Sequence, residues 1–98
     1  MANICSNEFY AGSSNPENIK YIIKFIQKEF DGEIEFDEES VDADFSSKWV
    51  YPSEQMDKLY EGLPDKEHIY MRCLSVEYGC EYVEFHICDG EGGWYLQE

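Results

Sequence analysis

The sequence predicts an α+β fold, an antiparallel sheet carrying two helices on one face. Three observations predict it. Apolar residues recur at helical spacing between Pro16 and Phe30, and again more briefly between Pro52 and Leu63. The segments around these stretches alternate apolar and polar residues instead, as half-buried strands do. Glycine- and proline-rich cues punctuate the boundaries.

Taken in order, residues 3–11 (NICSNEFYA) read as a strand with faces Cys5, Asn7, Phe9, Ala11 and Ile4, Ser6, Glu8, Tyr10. The first set is assigned to the core because the second carries Glu8. GSSNP interrupts the chain, with Asn15 suited to an N-cap and Pro16 to the first helical position. Ile19, Ile22, Ile23, Ile26 and Phe30 then form an inner stripe, with Lys20, Lys24 and Lys28 outside. Gly32 is expected to end this helix.

Residues 31–45, DGEIEFDEESVDADF, hold eight carboxylates and no cation, yet the run alternates. Ile34 and Phe36 fall on one face, and Glu33, Glu35 and Asp37 on the other. After a turn near Glu38–Val41, Ala43, Phe45, Ser47 and Trp49 share a face, leaving Asp44, Ser46 and Lys48 opposite. The segment is therefore a hairpin with an oily side and an acidic side. Pro52 opens a second helix with Met56, Leu59, Tyr60 and Leu63 inward, and Gly62 and Pro64 end it. Residues 67–76 read as a strand, YGCE as a turn, and residues 82–88 as a returning strand with Val83, Phe85 and Ile87 on one side. After a glycine-rich turn at 89–93, WYLQ is expected to add a short last strand.

Strand, helix, strand, strand, helix, strand, then an added hairpin strand is the order of the split βαβ, or ferredoxin-like, arrangement. In that arrangement the first and third strands are central, the acidic hairpin forms one side of the sheet, and the added strand extends the other. The helices are expected to cover Phe9, Ile34, Phe36, Phe45 and Trp49. The open face is expected to carry Glu8, Glu33, Glu35, Asp37 and Asp44.

Composition narrows the function. The 98 residues make one domain, and 43% hydrophobic with 16% aromatic residues is enough apolar surface to fold without disulfides. Net charge is −15, from 22 acidic and 7 basic residues, which repels nucleic acid and anionic membrane and favours basic partners. Eight Tyr, six Phe and two Trp argue against disorder. No stretch approaches a membrane span, and no basic segment precedes an apolar run at the N-terminus, so a cytoplasmic location is expected. Cys5, Cys73, Cys80 and Cys88 show no CxxC pairing and are expected to be reduced thiols.

Three short motifs resemble a known family. MANICSN resembles the M-[AP]-N-x-C-x-N opening of the YubB ferredoxin-like domain proteins of plasmids, phages and bacterial genomes. KWVYP resembles that family's Trp-x-x-Pro segment, and SVEYG followed by DGEGGW resembles its Glu-x-Gly turn and glycine-rich end. The matched positions are Trp49, Pro52, Glu77 and Gly79. The resemblance implies the ferredoxin-like fold and a mobile-element origin, and it implies no activity. The acidic hairpin lies outside the shared motifs.

Several chemistries can be weighed at once. Charge runs commonly serve solubility and keep sheet edges from pairing. Same-face carboxylates on one strand stand about 6.7 Å apart and the next strand is about 4.8 Å away. Two adjacent strands therefore approach the charge density of a DNA strand, about one per 3.4 Å. Asp37, Glu38, Glu39, Asp42 and Asp44 lack the order of an EF-hand loop. His68, His86, Cys73 and Cys88 lack zinc-ligand spacing, so no metal is expected. No pair of titratable residues has a spacing that specifies catalysis, and GEGG at 90–93 has no helix after it to cradle a phosphate. Tyr10, Tyr70 or Tyr82 could stack a base, but the neighbouring carboxylates would repel its phosphates. The Lys20, Lys24, Lys28 row is a solvated helix face.

The expectation is a small acidic binding protein, not an enzyme and needing no cofactor. Glu8, Glu33, Glu35, Asp37 and Asp44 would engage a basic partner protein in the manner of a nucleic-acid mimic, inhibiting a DNA-binding or defence protein. The alternative is a self-associating module, such as a homodimer, whose acid serves solubility. Direct nucleic-acid or membrane binding is not expected.

Overall fold

The structure, a computed structural model, describes residues 4–90 and 92–97. Met1–Asn3 of the family-like opening, the first residue of the expected first strand, and Glu91 of the glycine-rich turn lie outside the described residues. The chain runs β1 (Ile4–Gly12), α1 (Pro16–Glu29), β2 (Gly32–Phe36), β3 (Ser40–Lys48), α2 (Ser53–Glu61), β4 (Tyr70–Glu77), β5 (Tyr82–Cys88) and β6 (Tyr95–Leu96). Single 3₁₀ turns occupy Lys66–His68 and Tyr78–Cys80, so the strand expected from residue 67 begins three residues later. The six strands form one sheet in the order β2-β3-β1-β4-β5-β6, every neighbour antiparallel. This α+β architecture is compatible with the ferredoxin-like expectation.

Helix α1 forms where the apolar stripe required it. The Asn15 side-chain oxygen accepts from the Glu17 N–H at 2.9 Å, and Pro16 contributes no donor in the first turn, where none would be paired. Ile19, Ile22 and Ile26 are buried. The helix stops earlier than Gly32 predicted. Phe30 is already extended, with its ring stacked on Phe45 at 4.0 Å, while its N–H still bonds the Ile26 carbonyl. Gly32 instead starts β2, and its missing side chain has a different use. A Cβ there would stand 2.2 Å from the Asp44 carbonyl oxygen. Helix α2 buries Met56 and Leu59, and Trp94 Nε1 donates to the Met56 carbonyl at 2.8 Å.

Register places Phe9 against Ala43 and Cys73, and Ala43 against Ile34, so these residues share one face. That face joins Ile22, Ile26, Met56 and Leu59 in a single core, which puts both helices on the same side of the sheet. Two expectations about the core need correction. Phe36 points to the helix side, opposite Val41, but is 61% exposed at the end of the edge strand β2, where an open groove of about 490 Å³ lies between it and Pro16, Ile19 and Ile23 of α1. Trp49 leaves the alternation altogether. β3 ends at Lys48, Trp49 takes a left-handed φ of 70°, and its side chain is 52% exposed. The reversal is tight, with the Val50 N–H bonded to the Lys48 carbonyl at 2.7 Å. Tyr51 enters the core in place of Trp49.

Asn7, Asn18, Ser75 and Glu77 are buried polar residues. Asn7, buried on β1, donates through Nδ2 to Ser47 Oγ at 3.0 Å and to the Phe45 carbonyl at 3.3 Å. Its Oδ1 accepts from Ser75 Oγ at 2.7 Å, tying β1, β3 and β4 together. A buried amide is tolerated only when its groups are satisfied in this way.

Candidate protein-docking face

The side of the sheet away from the helices is uncovered, and register gives its residues in rows. One row reads Glu33, Asp44, Glu8, Leu74, Phe85 across β2, β3, β1, β4 and β5. The next reads Glu35, Asp42, Tyr10, Arg72, Ile87, Tyr95 and extends to β6. Glu8, Glu33, Glu35, Asp42 and Asp44 are all exposed. Glu33 and Asp44, Asp44 and Glu8, and Glu35 and Asp42 stand directly opposite one another on neighbouring strands. Side chains in such positions are about 5 Å apart at Cβ, and like charges there cost a few tenths to about 1 kcal/mol per pair.

Among the described residues no salt bridge joins them to a cation. The salt bridges among the described residues join Lys20 to Glu17, His68 to Asp65 and His86 to Glu84, all away from these rows. Arg72, the nearest cation by register, lies over the Tyr10 ring at 4.3 Å from its centroid. A guanidinium spread over an aromatic face is held there by the ring quadrupole.

Four of the five residues expected on this face, Glu8, Glu33, Glu35 and Asp44, lie in these rows. Asp37 does not. It sits past the end of β2 in the hairpin turn, where Oδ1 accepts from the backbone N–H groups of Glu39 and Ser40, both at 2.8 Å, and from Ser40 Oγ at 3.1 Å. The bond from the Glu39 N–H, followed by those from Ser40, holds its carboxyl below the usual range. Alternation extended one residue too far placed Asp37 on the face; an aspartate bonding the backbone two residues on is a turn signal. Asp42 was missed for the converse reason. The turn closes at Ser40, sooner than expected, so Asp42 already belongs to β3 and faces out.

The other half of the open face is mainly hydrocarbon, apart from the exposed Arg72 on β4. Leu74 and Val76 of β4 and Phe85 and Ile87 of β5 are half-buried, Val83 is 62% exposed and Tyr95 43%. The apolar side of β5 thus faces away from the helices. Its opposite side holds Tyr82, Glu84 and His86, which pair with Glu77, Ser75 and Cys73. Tyr82 is consequently not on the open face, whereas Tyr10 and Tyr70 are neighbours there, with ring centroids 6.3 Å apart. Two shallow depressions of about 360 and 450 Å³ lie across the boundary between acid and hydrocarbon.

On the helix side, the Tyr51 and His86 rings stack at 3.6 Å with 6° between planes. Tyr51 OH and His86 Nδ1 have no hydrogen-bond partner. Burial pushes the Tyr51 hydroxyl pKa well up and the His86 pKa down, favouring both neutral forms. Burial likewise pushes the Cys73 thiol up to about 12. The nearest carboxylate to His86, Glu84, is 3.8 Å from Nε2, beyond hydrogen-bond length. Among the described residues no three His, Cys, Asp or Glu side chains are grouped to hold a metal ion. None of the helices in those residues is long and apolar enough to cross a membrane.

At the positions that carry the family resemblance, Glu77 is buried and its Oε1 accepts from the Gly79 N–H at 2.8 Å, Pro52 precedes α2, and Trp49 is exposed. Comparison of the chain with protein-family models, with curated proteins and with solved structures finds no match.

Proposed function

We propose that this is a non-catalytic binding protein of ferredoxin-like fold whose acidic half-face engages the basic surface of a partner protein. The observation that carries the proposal is the set of opposed carboxylates Glu33–Asp44–Glu8 and Glu35–Asp42, placed at a cost to stability and joined to no cation by a salt bridge among the described residues. Solubility needs acid somewhere on the surface, but it does not need like charges in register. Rows about 6.7 Å apart on strands about 4.8 Å apart present charge at close to phosphate spacing. The partner surface is accordingly one that otherwise takes a nucleic acid, and the protein competes for it. That reading also agrees with the family resemblance and the mobile-element setting it implies.

The apolar β4–β5 half favours a second reading, self-association through the open face with the acid serving solubility.

Capture from a host lysate on the immobilised protein tests the first reading. Basic proteins should be retained at low salt, released as salt rises, and displaced by duplex DNA. A variant with Glu8, Glu33 and Glu35 changed to Gln and Asp42 and Asp44 to Asn should lose them. A control of equal net charge, with Glu17, Glu29, Glu54 and Glu61 changed to Gln and Asp57 to Asn on the helices, should keep them. Equal capture by both variants would refute the proposal.

A further inference from the structure

Between β1 and β4 the open face changes from carboxylate to hydrocarbon within one strand spacing. Glu8 is opposite Leu74, and beyond Leu74 comes Phe85. The hydrocarbon side extends through Val76, paired with Val83, and Ile87, paired with Tyr95, with Arg72 interrupting it on β4 opposite Ile87. The boundary is also concave. One depression is lined by Glu8, Asp42 and Asp44 on one side and Leu74, Phe85 and Arg72 on the other. The second has Glu33 and Asp44 on one side and Leu74, Val76 and Tyr78 on the other. A purely electrostatic docking site has no use for the second half of this surface, and exposed apolar strands invite aggregation unless something covers them.

We propose that the face holds a cationic amphipathic helix of the partner protein, laid along the strands over the β1–β4 boundary. Its apolar stripe packs on Leu74, Val76, Val83 and Phe85, and its Lys or Arg flank meets Glu8, Asp42 and Asp44. This rests on the reading that the acidic half meets a basic protein, and it adds the shape and the hydrocarbon of what binds. The occupant is a helix because a segment lying on a sheet face gains no backbone hydrogen bonds from it. A helix satisfies its own. Its width of about 10–12 Å spans two to three strands at about 4.8 Å each, enough to touch both halves. Charge selects a foreign helix over a second copy: another chain would add a further net −15 against the same carboxylates.

The test uses the whole protein and three synthetic 18-residue peptides. The first is helical, with a leucine stripe flanked on one side by Lys and Arg. The second has the same composition with the leucines dispersed, and the third replaces its cations by Gln. Titration calorimetry should show binding of the first, and binding of the other two weaker by about tenfold or more. Val83→Ser combined with Phe85→Ser should weaken the first peptide by a similar factor, with the fold checked by circular dichroism. Val83→Ser alone, at an exposed position, guards against a folding defect. Equal binding of the stripe and dispersed peptides, unaffected by both variants, would overturn the amphipathic helix while leaving recognition by charge intact. No binding of any cationic peptide would overturn both. Salt-insensitive dimerisation in sedimentation, abolished by Val83→Ser, would overturn it in favour of a second copy.

Discussion

Glu8 and Leu74 stand directly opposite each other on β1 and β4, and the open sheet turns from acid to hydrocarbon between them. Everything on the β2 side of that pair in the same row is a carboxylate, and the residue beyond it on β5 is Phe85. The two sides behave differently toward salt, and this gives the first prediction.

Neutralising Glu8, Glu33, Glu35, Asp42 and Asp44 together should stabilise the fold. The opposed pairs Glu33–Asp44, Asp44–Glu8 and Glu35–Asp42 are relieved, for a gain on the order of 1–2 kcal/mol at low ionic strength. Salt screens exposed charges over about 10 Å at 0.1 M, so the gain should shrink as salt is added. Urea denaturation at low and high salt measures both quantities. A destabilised variant would show that these carboxylates hold the sheet together instead.

Asp37 should act on stability in the opposite sense. Its carboxylate accepts the backbone N–H groups of Glu39 and Ser40, so Asp37→Ala should lower the denaturation midpoint, and Asp37→Ser should recover part of the loss. The pH dependence follows from its depressed pKa. The folded carboxylate gives up its proton more readily than the unfolded one, so its contribution is complete above the unfolded value of about 3.9 and is lost as pH falls through the lower folded value. Acid titration of wild type against Asp37→Ala should show curves that converge at the acid end.

Asn7 and Tyr51 are both buried polar residues, and their substitutions should have opposite signs. Asn7→Leu removes the partner of Ser75 Oγ and Ser47 Oγ and crowds the core, costing about 1–3 kcal/mol or more. Tyr51→Phe removes a buried hydroxyl that has no partner, and should be neutral or stabilising by up to about 1–3 kcal/mol. Thermal or urea unfolding of the two variants decides it. A marked loss of stability in Tyr51→Phe would mean that the hydroxyl is hydrogen-bonded in solution.

Gly32→Ala should destabilise the β2–β3 hairpin, although the substitution would improve an ordinary strand. The added methyl would meet the Asp44 carbonyl oxygen at 2.2 Å and Phe45 Cβ at 2.9 Å, and backbone cannot swing aside as a side-chain tip can. Overpacking of this kind costs about 1–3 kcal/mol. Amide exchange should rise first in Gly32–Phe36, since that edge strand is held from one side only. Unchanged exchange there would show that the hairpin yields without cost.

The periodicities were legible because they are local. The stripe of Ile19, Ile22 and Ile26 and the alternation of Cys5, Asn7, Phe9 and Ala11 each follow from the backbone repeat alone, and all seven residues are buried. The acidic side of the hairpin was legible for the same reason, apart from its turn. Asp37 and Asp42 changed places because hydrogen bonds within the turn, not alternation, decide where a strand begins.

By itself, then, the sequence determined the order of strands and helices, the residues that alternate together, and a net charge of −15 that favours basic company. Only the tertiary structure decided that Phe36 and Trp49 stay exposed, that Gly32 serves a close contact instead of a helix end, and that Val83, Phe85 and Ile87 turn away from the helices. Alternation says which residues share a face but not which face it is. That choice comes from cross-strand register, which fixes every side chain of a strand to the side its neighbour has already taken.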